Sequence, residues 1–214
     1  MQFSDDTLSI LKNFSGINPS IKFNTGNVIR TISPQKTVMA AATIDENIED
    51  NAAIYDLSRF LSTLSLFDNP EIVFGPDKFT ITSGRSRVNY TYASESMIIT
   101  PPDKDIQVPN PEATISVEWN DIQSVIRAAG VLQLGEIAFK CNGTTISMAA
   151  VDSKNPTADN YSVDVGEGST EFDMIIKVEN LRLLPDDYII ALSSKGMAHF
   201  KSNKVQYWIA LQSQ

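Results

Sequence analysis

Apolar and polar positions along this chain follow two periods in turn, and the switches between them mark out its elements. Near the start, Leu8, Ile10, Leu11 and Phe14 recur at helical spacing, with Asp5, Ser9, Lys12 and Asn13 on the other side. Ser4 ahead of Asp5 and Asp6 supplies a hydroxyl cap and an acidic first turn, so the pattern predicts a helix that stops at Gly16. Strand patterns follow at 20–24, 27–32 and 36–44, and then an acidic loop over 45–51. A strand over 52–55 runs into the clearest helix, 57–66, where Leu57, Phe60, Leu61 and Leu64 form one stripe behind an Asp56 cap. Strands at 71–75, 78–82 and 85–93 close the first half.

In the second half, a strand at 114–117 leads into a helix over 119–129, with Ile122, Val125, Ile126 and Ala129 inward and Arg127 outward. Runs at 136–141 and 144–151 flank Asn142-Gly143, a dipeptide suited to the positive φ of a two-residue hairpin turn. Strands at 161–165 and 171–176 follow, and the second feeds a short helix expected over 178–184, stopped by Pro185. The chain closes with strands at 187–193, 197–201 and 205–211.

Both halves therefore read helix, three strands, a strand running into a helix, three strands. The run AAIYDLSRFL recurs as FDMIIKVENL, with Leu57 over Val178 and Phe60 over Leu181. FTITSG pairs with AHFKSN, and RVNYTYA with VQYWIAL. A duplicated supersecondary unit is the physical reading of such self-similarity. The expectation is an α+β chain of two similar domains, 1–96 and 113–214, each with two helices packed on β-sheets. Between them lies 97–112, MIITPPDKDIQVPNPE, with four of the ten prolines. Each proline fixes φ and removes a donor, so this segment reads as a semi-extended connector.

Charge changes the picture of what the chain can bind. The net charge is −9, spread as −3 over 1–96, −2 over the connector and −4 over 113–214. A conventional nucleic-acid binder gains affinity by neutralising phosphates and releasing counterions, so this balance argues against tight, ordinary DNA binding. No apolar run approaches the roughly 20 residues that span a bilayer. The acidic opening MQFSDDTLSILKNF is unlike a basic signal peptide, and the single cysteine, Cys141, can form no internal disulfide. A cytoplasmic protein with no membrane partner is expected.

Catalytic material is sparse. His199 is the one histidine and lies mid-strand, leaving nothing for a triad or a zinc site. Cys141 in a hairpin reads as a small core residue. No glycine-rich phosphate loop follows a strand. Asp103, Asp105, Asp186 and Asp187 read as solvated carboxylates of connectors and turns rather than Mg²⁺ ligands. Neither catalytic residue, metal nor cofactor is expected. What remains is one cation on the polar side of each expected helix: Lys12, Arg59, Arg127 and Arg182, among Ser, Thr, Asn and Gln. Singly, each is ordinary solvated surface. Gathered by a duplicated fold, they make a weakly positive, hydroxyl-rich surface inside an acidic protein.

The segments LSILKNFSGIN, AIYDLSRFLSTLSLF, VIRAAGVLQLGEIAF and LRLLPDDY resemble the sliding clamps of large tailed bacteriophages, the DNA polymerase processivity factors. The likeness runs through the whole chain in order and length. It implies the DNA-clamp fold assembled into a closed homotrimeric ring of six similar domains, with helices lining a central hole that encircles duplex DNA without sequence preference. It also implies a clamp loader complex driven by ATP, the replicative DNA polymerase as tethered partner, and service in late transcription through RNA polymerase-associated late factors. Topology then retains the DNA, and loose, screened phosphate contacts let it slide, which reconciles the ring with its acidity. By position, Lys12, Arg127 and Arg182 fall on the lining; Arg59 follows from the repeat, and Asp5 stands where another cation is expected.

The same resemblance implies pairing of edge strands 87–93 and 160–165 between adjacent subunits, burying Val88, Tyr90, Tyr92, Tyr161 and Val163. Partner peptides in related clamps dock beneath the interdomain connector. Met39, Ile98, Ile99, Ile106, Val108, Trp208 and Ala210 are the apolar candidates for that pocket, the plain alternative being that most are core residues. From another class, an acidic, β-rich structural or assembly protein of a virion would also carry duplication and edge pairing.

Overall fold

In the computed structural model, which describes residues 1–155 and 157–212, the chain divides between Asp105 and Ile106 into two units. Unit 1 runs α1 (Asp5–Ile17), β1 (Ile21–Phe23), β2 (Gly26–Ile32), β3 (Val38–Ile48), β4 (Ala52–Ile54), α2 (Leu57–Leu64), β5 (Glu71–Phe74), β6 (Lys78–Ser83) and β7 (Ser86–Thr91). The Ser4 hydroxyl accepts the Thr7 N–H, and the Asp56 carboxylate accepts that of Arg59, so both helices start on the caps their sequences supply. Leu11 and Phe14 of α1 and Leu57 and Phe60 of α2 are fully buried. Strands β5, β6 and β7 form one antiparallel sheet, β1 pairs with β4, and β2 with β3. Phe79 of β6 centres the core: its ring lies 6.3 Å from Phe23, 5.0 Å from Phe60, 4.8 Å from Phe74 and 4.7 Å from Tyr92, in tilted and edge-on contacts.

The acidic loop expected over 45–51 is mostly strand. β3 continues to Ile48 because Ile44 and Ile48 are buried at a four-residue spacing, with Asp45 and Asn47 turned outward. Glu46 is half-buried beside α1, where it accepts the Ser4 N–H and the Thr7 hydroxyl. Burial pushes its carboxyl up, but these hydrogen bonds outweigh that and hold it below its ordinary value. Three polar residues in five hid a strand whose inward positions are all apolar or hydrogen-bonded.

Unit 2 runs β8 (Ala113–Val117), α3 (Trp119–Val131), β9 (Glu136–Cys141), β10 (Thr145–Val151), β11 (Tyr161–Glu167), β12 (Phe172–Lys177), a single 3₁₀ turn Val178–Asn180, β13 (Tyr188–Ser193), β14 (Met197–Lys201) and β15 (Val205–Ala210). Its sheets are ordered β11-β10-β9-β12 and β15-β14-β13-β8, antiparallel throughout. The strands correspond with those of unit 1 in order: β1 and β4 match β9 and β12, β2 and β3 match β10 and β11, and β5 to β7 match β13 to β15. Even β8 has a counterpart. The Met1 amine donates to the Ile72 carbonyl (2.8 Å) and the Ile72 N–H to the Met1 carbonyl (2.7 Å), an antiparallel exchange on β5 where β8 lies on β13. A further pair repeats as well, since Leu57 donates to Pro19 (2.7 Å) as Val178 donates to Gly135 (2.9 Å).

Two expectations from the repeat are corrected. The segment 178–184 is not a helix: after the 3₁₀ turn it is irregular, with Leu181 and Leu183 buried and Arg182 exposed. The Tyr188 hydroxyl donates to the Leu184 carbonyl (2.6 Å), and the Leu184 N–H donates to the Tyr207 hydroxyl (3.1 Å). Both backbone groups of Leu184 are thus held by core tyrosines rather than by a helical ladder, Lys177 provides no side-chain cap, and Pro185 follows. Burial pushes both phenols far above the ordinary tyrosine value. The second correction is a register. Ile81 stands opposite Val88 and Phe200 opposite Tyr207, so with FTITSG over AHFKSN the final strands match one residue further along than RVNYTYA over VQYWIAL. Trp208 then falls level with Asn89.

The proline-rich connector is anchored rather than free. On the unit 1 side, the Asn18 amide donates to the carbonyls of Ile32 (2.8 Å) and Ile99 (3.3 Å), and Arg30 pairs with Asp105. On the unit 2 side, Trp208 Nε1 donates to the Ile106 carbonyl (2.8 Å), the Ser193 hydroxyl to that of Pro109, and the Glu112 N–H to that of Leu192 (2.9 Å). Among the described residues, no helix is long and apolar enough to cross a membrane.

Candidate nucleic-acid interface and partner surfaces

Helices α1 and α2 lie side by side in unit 1 and leave a groove of about 790 Å³ between them. Lys12, Ser15, Ser58, Ser62 and Ser65 line it, together with the carboxylates Asp5 and Asp68. The hydroxyls are there as the sequence suggests, but the protons of Ser15, Ser62 and Ser65 are engaged. Ser15 donates to the Lys12 carbonyl (2.7 Å), Ser62 to Ser58 (2.9 Å) and Ser65 to Ser62 (2.8 Å), and on the same helix Thr63 donates to Arg59 (2.8 Å). Such bonds back to the preceding turn leave oxygen lone pairs facing outward. Donation to a phosphate on this surface therefore falls chiefly to Lys12 and Arg59, both exposed.

Lys12 and Arg127 occupy matching positions. Thr7, Ile10 and Phe14 of α1 and Ile122, Val125 and Ala129 of α3 are buried at one constant offset, and the same offset carries Lys12 onto Arg127. Arg127 is exposed too. Arg59 and Arg182 are not such a pair. With Leu57 over Val178, Arg59 stands over Asn180 and Arg182 over Leu61. Arg182 is exposed in the irregular segment, with its Nε donating to the Glu179 carbonyl (3.3 Å). The Glu179 carboxylate lies 3.6 Å from Lys177 Nζ. Lys177 is the cation that the sequence reading passed over: assigning a helix to 178–184 drew attention away from the last residue of β12.

On the edges, β7 has β6 as its only sheet neighbour and β11 has only β10, among the described residues. Val88, Tyr90 and Tyr92 are half-buried. The Tyr90 ring lies 5.2 Å from Phe60, and its hydroxyl donates to the Asp56 carbonyl (3.1 Å). Burial and then the Asp56 carboxylate push this phenol up. Tyr161 on β11 is exposed and Val163 half-buried.

Of the candidate peptide-site residues, Met39 is 2% exposed, within β3. Ile98 is half-buried, while Ile99 and its neighbour Met97, which the sequence reading did not single out, are exposed. In unit 2, Ile106, Val108 and Ala210 are half-buried. Trp208 is buried, joined to Ile106 through its indole N–H and stacked on His199 at 4.8 Å and 14°. Among the described residues, no group of three or more His, Cys, Asp or Glu side chains is placed to hold a metal ion.

Two protein families match the chain: the DNA polymerase processivity factor over residues 4–100, and the gp45 sliding clamp, C terminal, over 114–213. The sliding clamp of Escherichia phage RB69 is 33% identical over 223 aligned residues, which cover 100% of this chain and 97% of the relative. That of Vibrio phage KVP40 is 29% identical over 222 residues, covering both chains completely. Among solved structures, A. fulgidus PCNA, in a complex with the C-terminal region of FEN-1, superposes with a TM-score of 0.74 at 13% identity, over 100% of this chain and 97% of that one. At that identity, what is shared is the fold.

Proposed function

The chain belongs to the phage sliding-clamp family of DNA polymerase processivity factors, and from that premise we propose that it works as a homotrimeric ring around duplex DNA in the cytoplasm of the infected cell. The observation that carries this reading is the matched exposure of Lys12 and Arg127 on equivalent helices of a duplicated fold. Three copies would present six such cations towards one hole, joined by Arg59 and by Arg182 with Lys177. Sparse cations contacting phosphates are indifferent to base sequence and weak enough to slide, while closure of the ring prevents escape. The protein performs no chemistry of its own. Its contribution is to keep the replicative polymerase on the template.

An ATP-driven clamp loader opens and places the ring, and late transcription factors use it once it is on DNA. Subunits join by the free edges of β7 and β11, with Val88, Tyr90, Tyr92, Tyr161 and Val163 at the junction. The apolar tail of the polymerase docks on unit 2 against Ile106, Val108, Trp208 and Ala210, with Ile98 and Ile99 the further apolar positions of the connector. Met39 is too buried to offer a tail any surface.

Light scattering should give a species near three times the 23.6-kDa chain mass, and a monomer at high concentration would refute the ring. Primer extension by the cognate polymerase, with loader and ATP, should yield longer products when the protein is added. An unchanged product length would refute the processivity role and return the virion-assembly alternative to the front. The double variant Lys12→Glu with Arg127→Glu should abolish that gain while leaving the mass unchanged. Loss of the trimer in this variant would show that these cations face a subunit junction instead of DNA.

A further inference from the structure

The edges of β7 and β11 carry opposite charge. β7 and the turn before it hold Arg85 and Arg87 and no acid, while β11 and its approach hold Asp159, Asp164 and Glu167 and no base. Arg87 and Asp164 are both exposed, and neither belongs to an ion pair among the described residues. We propose that β11 of a second copy of this chain docks antiparallel on β7 in a single register, with Arg87 opposite Asp164 selecting it. This rests on the ring reading above and specifies its junction.

Three observations lead to that register. Among the described residues, the ladders within each unit are antiparallel. The β10–β11 ladder shifts between Ile146–Gly166 and Ser147–Asp164, leaving Val165 as an extra residue. Bulges of this kind end regular pairing, so 161–164 is the straight part of β11 available to a new neighbour. Finally, side chains alternate across a strand, so the charged and apolar positions must each find their own kind of partner. Setting Arg87 opposite Asp164 places Val88 opposite Val163, Asn89 opposite Ser162 and Tyr90 opposite Tyr161. The half-buried positions of β7 then meet Val163 and the exposed ring of Tyr161, and the exposed polar positions meet polar ones. A slip of one residue would set Arg87 against Val163 in one direction, or Val88 against Asp164 in the other, and either buries charge against valine. A slip of two that brings Arg85 opposite Asp164 moves Arg87 to Ser162, loses the Tyr90–Tyr161 pair and draws the turn residue Arg85 into the ladder.

The test is a charge swap read by mass against concentration. Wild type should be trimeric, and Arg87→Glu or Asp164→Arg alone should raise the concentration for half-assembly by about tenfold or more, since like charges then face each other across a strand pair. The double variant Arg87→Glu with Asp164→Arg should return it to within about threefold of wild type, the residual reflecting the changed side chains. Both sites are exposed, and circular dichroism melting of each variant establishes that the subunit remains folded. Single variants that assemble like wild type, or a double variant no better than the singles, would overturn the register while the ring stands. Rescue of Asp164→Arg by Arg85→Glu instead would overturn it in favour of the two-residue slip. A wild type that stays monomeric removes the ring and the register together.

Discussion

At the end of β4 the chain enters an eight-residue helix; at the end of β12, its counterpart, it makes one 3₁₀ turn and continues as an irregular segment. The same backbone bond opens both segments, from Leu57 to Pro19 and from Val178 to Gly135. What differs is which groups claim the next main-chain atoms. In unit 1, Asp56 caps the first turn, and Phe60 is drawn onto Phe79 and Tyr90, so a helical stripe finds an aromatic core. In unit 2, the hydroxyls of Tyr188 and Tyr207 hold both backbone groups of Leu184. A duplicated fold can therefore keep its strand order while exchanging a helix for an irregular segment. The sheets need period-two burial, and the linking segment needs only to have its polar backbone satisfied.

The widest separation between the halves should come from their cores. Phe79→Ala removes the ring on which four aromatic neighbours of unit 1 rest. It should cost about 3–5 kcal/mol by denaturant titration. Amide exchange should rise in unit 1 before unit 2, and equal loss of protection in both would show that the units do not hold separate cores. Tyr188→Phe keeps the ring and deletes the donor to Leu184, with an expected loss of about 1–3 kcal/mol. Faster exchange confined to 181–187 is the signature to look for. Alkali probes the same tyrosines: because burial raises both phenols, their contribution is complete below the ordinary tyrosine value of 10.0 and declines as pH rises above it. Thermal melts across that range should fall less steeply in Tyr188→Phe than in wild type.

Asp56→Ala should cost about 1 kcal/mol by removing the α2 cap, whereas Lys177→Asp, which offers unit 2 a comparable cap, should leave its circular dichroism unchanged. A gain of helical signal there would mean that capping, rather than the tyrosine clamp, makes the difference. The smallest effect is expected at Glu46. Its folded carboxyl lies below the ordinary 4.5, so its support of the start of α1 is complete above that pH and lost as pH falls through the folded value. Comparing wild type with Glu46→Gln between neutral and acid pH isolates it, and identical acid profiles would remove Glu46 from the account.

Much of the candidate surface was legible because it depends on periodicity. The stripe of Ile10, Leu11 and Phe14 places Lys12 outward without any knowledge of neighbours, and Val125 with Ala129 does the same for Arg127. Arg182 was assigned to a helix that does not form, since Val178, Leu181 and Arg182 at short range suit a helix as well as an extended run. The decision came from Tyr188, just beyond the segment, and from Tyr207 on the last strand. The connector misled in the opposite sense. Prolines make it read as a tether, yet Asn18, Arg30 and Trp208 hold it from distant positions in the sequence.

By itself, the sequence determined the duplication, the strand order, the caps at Ser4 and Asp56, and the outward direction of Lys12, Arg59 and Arg127. These are local consequences of side-chain period and backbone chemistry, and each is complete within one or two turns or one strand. Only the tertiary structure decided that 181–187 is irregular rather than helical, that β3 reaches Ile48, that Tyr207 rather than Gln206 stands level with Val88, and that the connector is tied down. Each of those depends on a hydrogen bond or a buried face supplied by residues remote along the chain, and a free backbone group accepts whichever partner folding brings to it.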